Sequence, residues 1–195
     1  MDNQILFTPY NLSGIALKNK MIMAPMTRSR ADNEGNIPTP LMAEYYAQRA
    51  SAGLIISEGT PVSTKAVGYI NVPGIYNNEQ VEGWKLITKA VHDKGGKIFA
   101  QLWHVGRLSH PSFFNGELPH APSAINANEK SYTSTGMQDT VVPKEMTIDD
   151  IKQTIADFKH AAANALKAGF EKSLLIAVGG SGGHLFPAQQ MATHL

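Results

Sequence analysis

Three short stretches carry side chains able to do chemistry, and each sits at the end of an apolar run. They are Thr27 after "MIMAPM", Glu58 with Gly59 after "GLIIS", and Gln101, Trp103 and His104 in "KIFAQLWH". Together they offer a hydroxyl, a carboxylate, an amide that both donates and accepts, an indole and an imidazole. The chain has no cysteine, which removes disulfides, thiolate nucleophiles and Cys-based zinc sites together. His104 and His110, on a loop with no partner carboxylate, make a poor metal pair, and no metal is expected. Glu58 reads either as a general base or as a structural carboxylate bonding neighbouring backbone or Arg groups. Taken alone, Thr27 and Gln101 also fit strand-end polar residues satisfied by loop backbone, and Trp103 fits a core residue. Near the end of the chain, the "GGSGG" before "HLFPA" has the glycines that let backbone turn sharply and offer amides to a phosphate. A plain strand-to-helix connection is the other reading of it.

The elements that position these groups alternate along the chain. Met21 to Met26 and "GLIISEG" read as buried strands, as do "KIFAQLWH" and Ser173 to Val178. A helical stretch with Leu41, Tyr45, Ala47 and Ala50 follows Pro38 and Pro40, with Gly53 as its C-terminal stop. From Asn78, the residues Val81, Trp84, Ile87 and Val91 recur at three and four, a pattern that predicts an amphipathic helix ending at Gly95 and Gly96. Thr147 caps a third helix, with an apolar face of Ile148, Ile151, Ile155, Phe158 and Ala162 and a stop at Gly169. Val105 to Glu145 reads as a long loop with one hairpin, and Pro187 to Leu195 as a last short helix. This alternation is that of parallel βαβ units, which begin either a barrel or an open sheet. The polar residues fall at the carboxyl ends of the strands, where both architectures bind ligands.

Composition narrows the function. The chain has 195 residues, 43% apolar and 17% charged, with 17 basic against 16 acidic groups. That balance gives no electrostatic footprint for nucleic acid or a membrane surface, no apolar run approaches the length of a membrane span, and the N-terminus lacks signal-peptide character. Small-molecule chemistry in the cytoplasm is the expectation.

"MAPMTRSRA", "PTPLMAEYYAQRASAGLIISEGT" and "AQLWHVGRLSHPS" together resemble the old yellow enzyme family of FMN-dependent ene-reductases, in order and spacing, from about Leu6 to Phe170. The resemblance implies the N-terminal half of a (β/α)8 TIM barrel, truncated after about four strands, with FMN at its C-terminal mouth. It implies NADPH or NADH as reductant and a small activated alkene as substrate. Pro25, Met26 and Thr27 match the segment lying against the flavin, with Thr27 expected to hydrogen-bond the isoalloxazine carbonyl. Gly59 matches a backbone contact to the ring and Gln101 a contact to its pyrimidine edge. Tyr69 and Trp103 match residues on the substrate side.

After "AGF" the family pattern of a His and Asn, or two His, followed by a proton-donating Tyr is absent, so no catalytic residue is assigned and His184 is given no such role. "LLIAVGGSGGHLFPAQQMATHL" instead resembles the start of the N-acetylglucosaminyltransferase that forms lipid II. The expected organisation is therefore a partial FMN-binding barrel over residues 1–171 and a foreign strand, glycine loop and helix over 172–195. Impaired ene-reduction leads as the function. A glycosyltransferase-derived phosphate-binding fragment and a non-catalytic half-barrel are the alternatives. Open strand edges predict a homodimer or aggregate.

Overall fold

The computed structural model of the chain describes residues 3–175. A 3-10 turn, Asn3–Phe7, leads into a hairpin of β1 (Tyr10–Leu12) and β2 (Ile15–Leu17) that the apolar periodicity did not anticipate. Its turn residues Ser13 and Gly14 both take positive φ, 46° and 88°, the conformation whose twist suits a two-residue hairpin. Leu17 packs on Leu54 and Phe99.

The alternating units follow in order: β3 (Ile22–Met23), α1 (Pro40–Ala47), β4 (Leu54–Pro61), α2 (Asn78–His92) and β5 (Ile98–Trp103). The long excursion then holds β6 (His120–Ala121), the expected hairpin as β7 (Lys130–Thr133) and β8 (Gly136–Asp139), and β9 (Lys144–Glu145), which pairs parallel with β6. Helix α3 (Ile148–Lys167) leads to β10 (Lys172–Leu175). The sheet order is β3, β4, β5, β10, every pair parallel. Neighbours in sequence are thus neighbours in space. The later part of the expected fourth strand, the glycine turn and the Pro187 to Leu195 helix lie outside the described residues.

Two expectations around the first strand and helix need correction. The first strand does not run from Met21 to Met26 but pairs only at Ile22 and Met23, because Pro25 has no N–H to give a ladder and the chain leaves the sheet there. Gly53 is not a left-handed cap; it lacks positive φ. It is needed because a Cβ there would run into the Asn19 carbonyl, while its own N–H donates to Met21 O at 2.9 Å.

Helix α2 starts with a reciprocal capping box between Asn77 and Gln80 and turns its apolar stripe inward. Val81, Trp84, Ile87 and Val91 are all buried against the sheet. Trp84 lies between Tyr46 and Phe170, with ring centroids 6.3 and 5.2 Å away, and its indole N–H donates to Gly74 O at 2.9 Å. Helix α3 is capped by Thr147 with Asp150 in the same reciprocal manner. Its end closes with Phe170 N–H on Ala165 O and Gly169 N–H on Leu166 O, Gly169 at φ 90°, the paired bonds a left-handed glycine permits. The expected apolar face of α3 is not what it buries. Ile148, Ile151 and Ile155 stay exposed, Phe158 and Ala162 are half-buried, and Ala161, Asn164 and Ala165 face the core. Small residues let the helix approach closely, and Asn164 is satisfied there by donating to Ile75 O at 2.9 Å.

Candidate functional site

The carboxyl ends of β3, β4 and β5 form one rim, and a bulge shapes its centre. Between the pairs Ile56 with Phe99 and Gly59 with Gln101 the register slips, so that Ser57 and Glu58 together oppose Ala100. Such an insertion re-aims side chains. It is stitched by hydroxyls: Ser57 Oγ accepts Gln101 N–H at 2.9 Å and donates to Glu58 O at 2.9 Å, and Thr60 Oγ1 donates to the same carbonyl at 2.9 Å. Beyond the bulge Gly59 and Gln101 face each other, and Pro61 pairs with Trp103.

Glu58 is fully buried and takes the structural role. Its Oε2 accepts Arg28 N–H at 3.1 Å and its Oε1 accepts the Tyr46 hydroxyl at 3.2 Å, while Glu58 N–H donates back to Tyr46 Oη at 2.9 Å. Burial raises its pKa from the usual carboxylate value to about 7, against the lowering pull of the Arg28 and Tyr46 bonds. Tyr46 is pushed well above the ordinary tyrosine value, first by burial and then by the Glu58 charge. His104, just past β5, is held down at about 4, chiefly by burial and then by His120, and its Nδ1 accepts Gly106 N–H at 3.1 Å. It is a neutral imidazole at neutral pH.

The structure brings Gly59, Gln101, Tyr69 and Trp103 together and sets Pro25, Met26 and Thr27 on the adjoining loop. Tyr69 and Trp103 stack with centroids 5.4 Å apart and planes 18° from parallel. Gly59 has no room for a side chain, since a Cβ would meet the Trp103 indole. The Trp103 indole thus lies at the close approach to Gly59 that the family resemblance implies for a flavin ring. Trp103 is buried, yet its Nε1 has no hydrogen-bond partner. Met26 and Thr27 are exposed and Pro25 half-buried. Among the described residues, neither the Thr27 hydroxyl nor the Gln101 side-chain amide has a partner. Unpaired donors and acceptors at one rim, next to an orphaned buried indole N–H, are the polar set that the edge of an isoalloxazine ring requires. These free polar groups are compatible with the ring of FMN.

One cleft, about 390 Å³, lies elsewhere, between Ser63, Thr64, Tyr76 and the Asp157 and His160 side of α3. A smaller one of about 220 Å³ sits beside Arg28, Met42 and Tyr45. Neither is lined by Thr27, Gly59 or Gln101. Sequence reasoning did not single out Tyr46 or the Arg28 N–H. Their only local signal is an acidic residue in an otherwise apolar strand, which must find partners if buried.

Consecutive parallel strands, with a helix after each of β3, β4 and β5 and ligand-competent residues toward their carboxyl ends, define an α/β segment of the kind that begins a (β/α)8 barrel or an open sheet. The chain belongs to the NADH:flavin oxidoreductase / NADH oxidase family, whose model matches residues 5–187. Among solved structures, the old yellow enzyme homologue from Zymomonas mobilis is 46% identical with a TM-score of 0.83, covering 87% of this chain and 47% of that one. Morphinone reductase is 43% identical, also at 0.83, over 87% and 47% of the two chains. A flavin oxidoreductase of Emericella nidulans is 45% identical over 170 residues, 85% of this chain and 44% of that protein. The 12-oxophytodienoate reductase 1 of Oryza sativa subsp. japonica is 43% identical over 169 residues, 85% and 43%. This chain therefore spans under half the length of these relatives, and its fold is the N-terminal half of the TIM barrel. Family members use FMN and NAD(P)H.

Proposed function

We propose that this chain is the flavin-ring-binding portion of an FMN-dependent ene-reductase that takes electrons from NADPH or NADH and acts on alkenes activated by a carbonyl or nitro group. When bound, FMN supplies the hydride-carrying ring. The observation that carries this reading is the set of unpaired polar groups on Thr27, in the loop after β3, and on Gln101 in β5, the two strands that flank β4 in one parallel sheet. In the proposal the Thr27 hydroxyl donates to a ring carbonyl and so favours the reduced, more negative state. The Gln101 amide pairs with the pyrimidine edge, Pro25 and Met26 lie along the ring, and Gly59 offers backbone. For that last contact the Trp103 indole must swing off Gly59, which would also free Tyr69 and Trp103 to line the substrate side. A cytoplasmic location accompanies the nicotinamide reductant, and cell fractionation checks it.

The test is FMN added to the purified chain, followed by its visible spectrum and by NADPH-dependent reduction of N-ethylmaleimide or cyclohexenone. The 195-residue chain taken alone is expected to perturb the flavin spectrum yet retain little FMN through gel filtration and turn over neither alkene. Its ring contacts act without the phosphate-binding loops found late in barrels of this kind. Stoichiometric yellow protein after filtration overturns that expectation; an unperturbed spectrum at saturating FMN overturns the flavin reading itself.

The finer organisation, a barrel portion to residue 171 and a segment from 172 related to the lipid II-forming N-acetylglucosaminyltransferase, is proposed on the string "GGSGGHLFPA". The family match running to residue 187 weighs against it. Sequencing the encoding locus decides: a reductase reading frame continuing beyond codon 195 removes the proposed junction.

A further inference from the structure

We infer that Glu58 is a positioning residue for Thr27, acting through the Arg28 peptide, which rests on the reading that Thr27 meets a flavin ring. Thr27 itself is exposed and without a partner, on a stretch that has already left the sheet after Met23. Nothing in its own side chain fixes its direction. The next peptide, however, is tied down: Arg28 N–H donates to Glu58 Oε2 at 3.1 Å, and Glu58 is fully buried in β4. Its other oxygen is held by Tyr46 from α1, and Tyr46 is in turn held by Glu58 N–H. The carboxylate is therefore a rigid bracket between strand, helix and loop. The bulge at Ser57 and Glu58 is what turns this side chain to face the loop, while the next residue, Gly59, returns to pair with Gln101. One local irregularity thus opposes Gly59 to Gln101 and turns Glu58 to hold the peptide that follows Thr27.

The bracket also has a spectroscopic signature. The groups facing the carboxyl are the Arg28 backbone and guanidinium from the loop and Tyr46 from α1, with Ser29 N–H also nearby. With burial holding its pKa at about 7, ionisation of Glu58 changes the bond received by the Arg28 amide near neutral pH.

The experiment is a double-mutant cycle on lumiflavin, the bare ring without phosphate, using the full 195-residue chain as wild type, Thr27→Ala, Glu58→Gln and the pair. Dissociation constant and midpoint potential are read by fluorescence and dye equilibration, with the Arg28 amide followed by NMR from pH 5.5 to 8.5. Because a hydrogen bond to the reduced, charged ring is stronger than one to the neutral oxidised ring, Glu58→Gln is expected to weaken reduced lumiflavin about tenfold or more relative to oxidised, read as a more negative midpoint potential, in the wild-type background. In the Thr27→Ala background it has far less effect, since there is nothing left to position. The Arg28 amide should titrate near pH 7 in wild type and stay flat in Glu58→Gln. Glu58→Asp, which keeps the charge but draws it back by one methylene, should show the same coupling to Thr27 and serves if the Gln variant does not fold. Equal losses in both backgrounds overturn the positioning role while leaving flavin binding intact. An Arg28 amide that does not titrate overturns the bracket. No lumiflavin binding by the wild type at any pH removes the flavin reading and this role with it, even if the amide titrates.

Discussion

Helices α2 and α3 are built alike and packed differently. Each opens with a reciprocal capping box, each carries an apolar stripe at helical spacing, and each ends where a positive-φ glycine follows, Gly95 or Gly169. Yet α2 buries Val81, Trp84, Ile87 and Val91 with at most 4% exposure, while Ile148, Ile151 and Ile155 of α3 are 68%, 40% and 59% exposed. The contrast separates two things that a periodic pattern runs together. Spacing says which face of a helix is apolar; only a neighbouring element makes that face a core. Helix α2 sends its whole stripe into the core cluster shared with β4 and β5, with α1 and α3 beside it, whereas α3, last among the described helices, meets β5, β10 and the core by its Ala161, Asn164 and Ala165 side.

The sharpest way to break the comparison is at its best-packed point. Trp84→Ala should cost about 3 to 5 kcal/mol for the lost burial and cavity, with the Gly74 carbonyl left unpaired in addition. Urea unfolding should show this as a large drop in midpoint. A loss below about 1 kcal/mol would mean that α2 is no more committed to the core than α3.

Much of this was legible in the sequence, and what was not has a common cause. The strands at Leu54 and Ile98, the inward stripe of α2, the Thr147 cap and the Gly169 stop all follow from local signals within a turn or two. The bracket around Glu58 is assembled from Arg28, thirty positions earlier, and Tyr46, twelve earlier, so no local window contains it. The same is true of Gly53, whose need for glycine is set by Asn19, and of the Trp103 indole lying over Gly59. Of the site residues, Gly59 and Gln101 are opposed by sheet register, which sequence order makes foreseeable. The Tyr69 stack on Trp103 depends on a loop path that sequence order leaves open.

The buried carboxyl gives the next largest effect and carries the comparison to the sheet side of the core. Glu58 has a folded-state pKa raised to about 7, so its favourable, protonated burial is fully present below the unfolded carboxylate value and is lost as pH rises through 7. A displacement of that size corresponds to about 3 kcal/mol. His104, lowered to about 4, works in the opposite sense: its contribution is present above the ordinary histidine value and is lost as pH falls through 4. The two oppose each other in the weakly acidic range, which flattens the wild-type profile. The difference between Glu58→Gln and wild type isolates one of them. From pH 4.5 to 8 the variant should gain about 3 kcal/mol relative to wild type in chemical denaturation, whatever constant offset the lost acceptor imposes. A pH-independent difference would mean that Glu58 is solvated in the folded protein.

At the rim the expected effect is smaller and acts on redox state rather than folding. Thr27→Ala removes an exposed hydroxyl, so stability should stay within about 0.5 kcal/mol. In reconstituted protein, or in a full-length relative with this segment, the proposed Thr27 bond to the ring predicts that the flavin potential moves by the equivalent of about 1.5 to 3 kcal/mol, because such a bond strengthens as the carbonyl gains charge. Dye equilibration that finds affinity changed and potential unchanged would reassign Thr27 to simple ring binding.

The smallest expected effect falls on α3 and tests the comparison from its other side. Ile151→Asn and Ile155→Asn remove side chains that are already 40% and 59% exposed, so each should change stability by no more than about 0.5 kcal/mol, against several for Trp84. The outcome depends on whether the stripe stays uncovered in solution. Among the described residues β3 and β10 are the outer strands of the sheet, and such edges predict a dimer or aggregate. If the second copy joins through those edges, sedimentation should show a species heavier than 21.1 kDa that both Asn variants leave unchanged. Losses of 2 kcal/mol or more, together with a shift to monomer, would instead show that a second copy covers α3. The same losses with no change in mass would place the cover within the chain itself. In either case α3 would resemble α2 after all, with a core completed by an element other than those described.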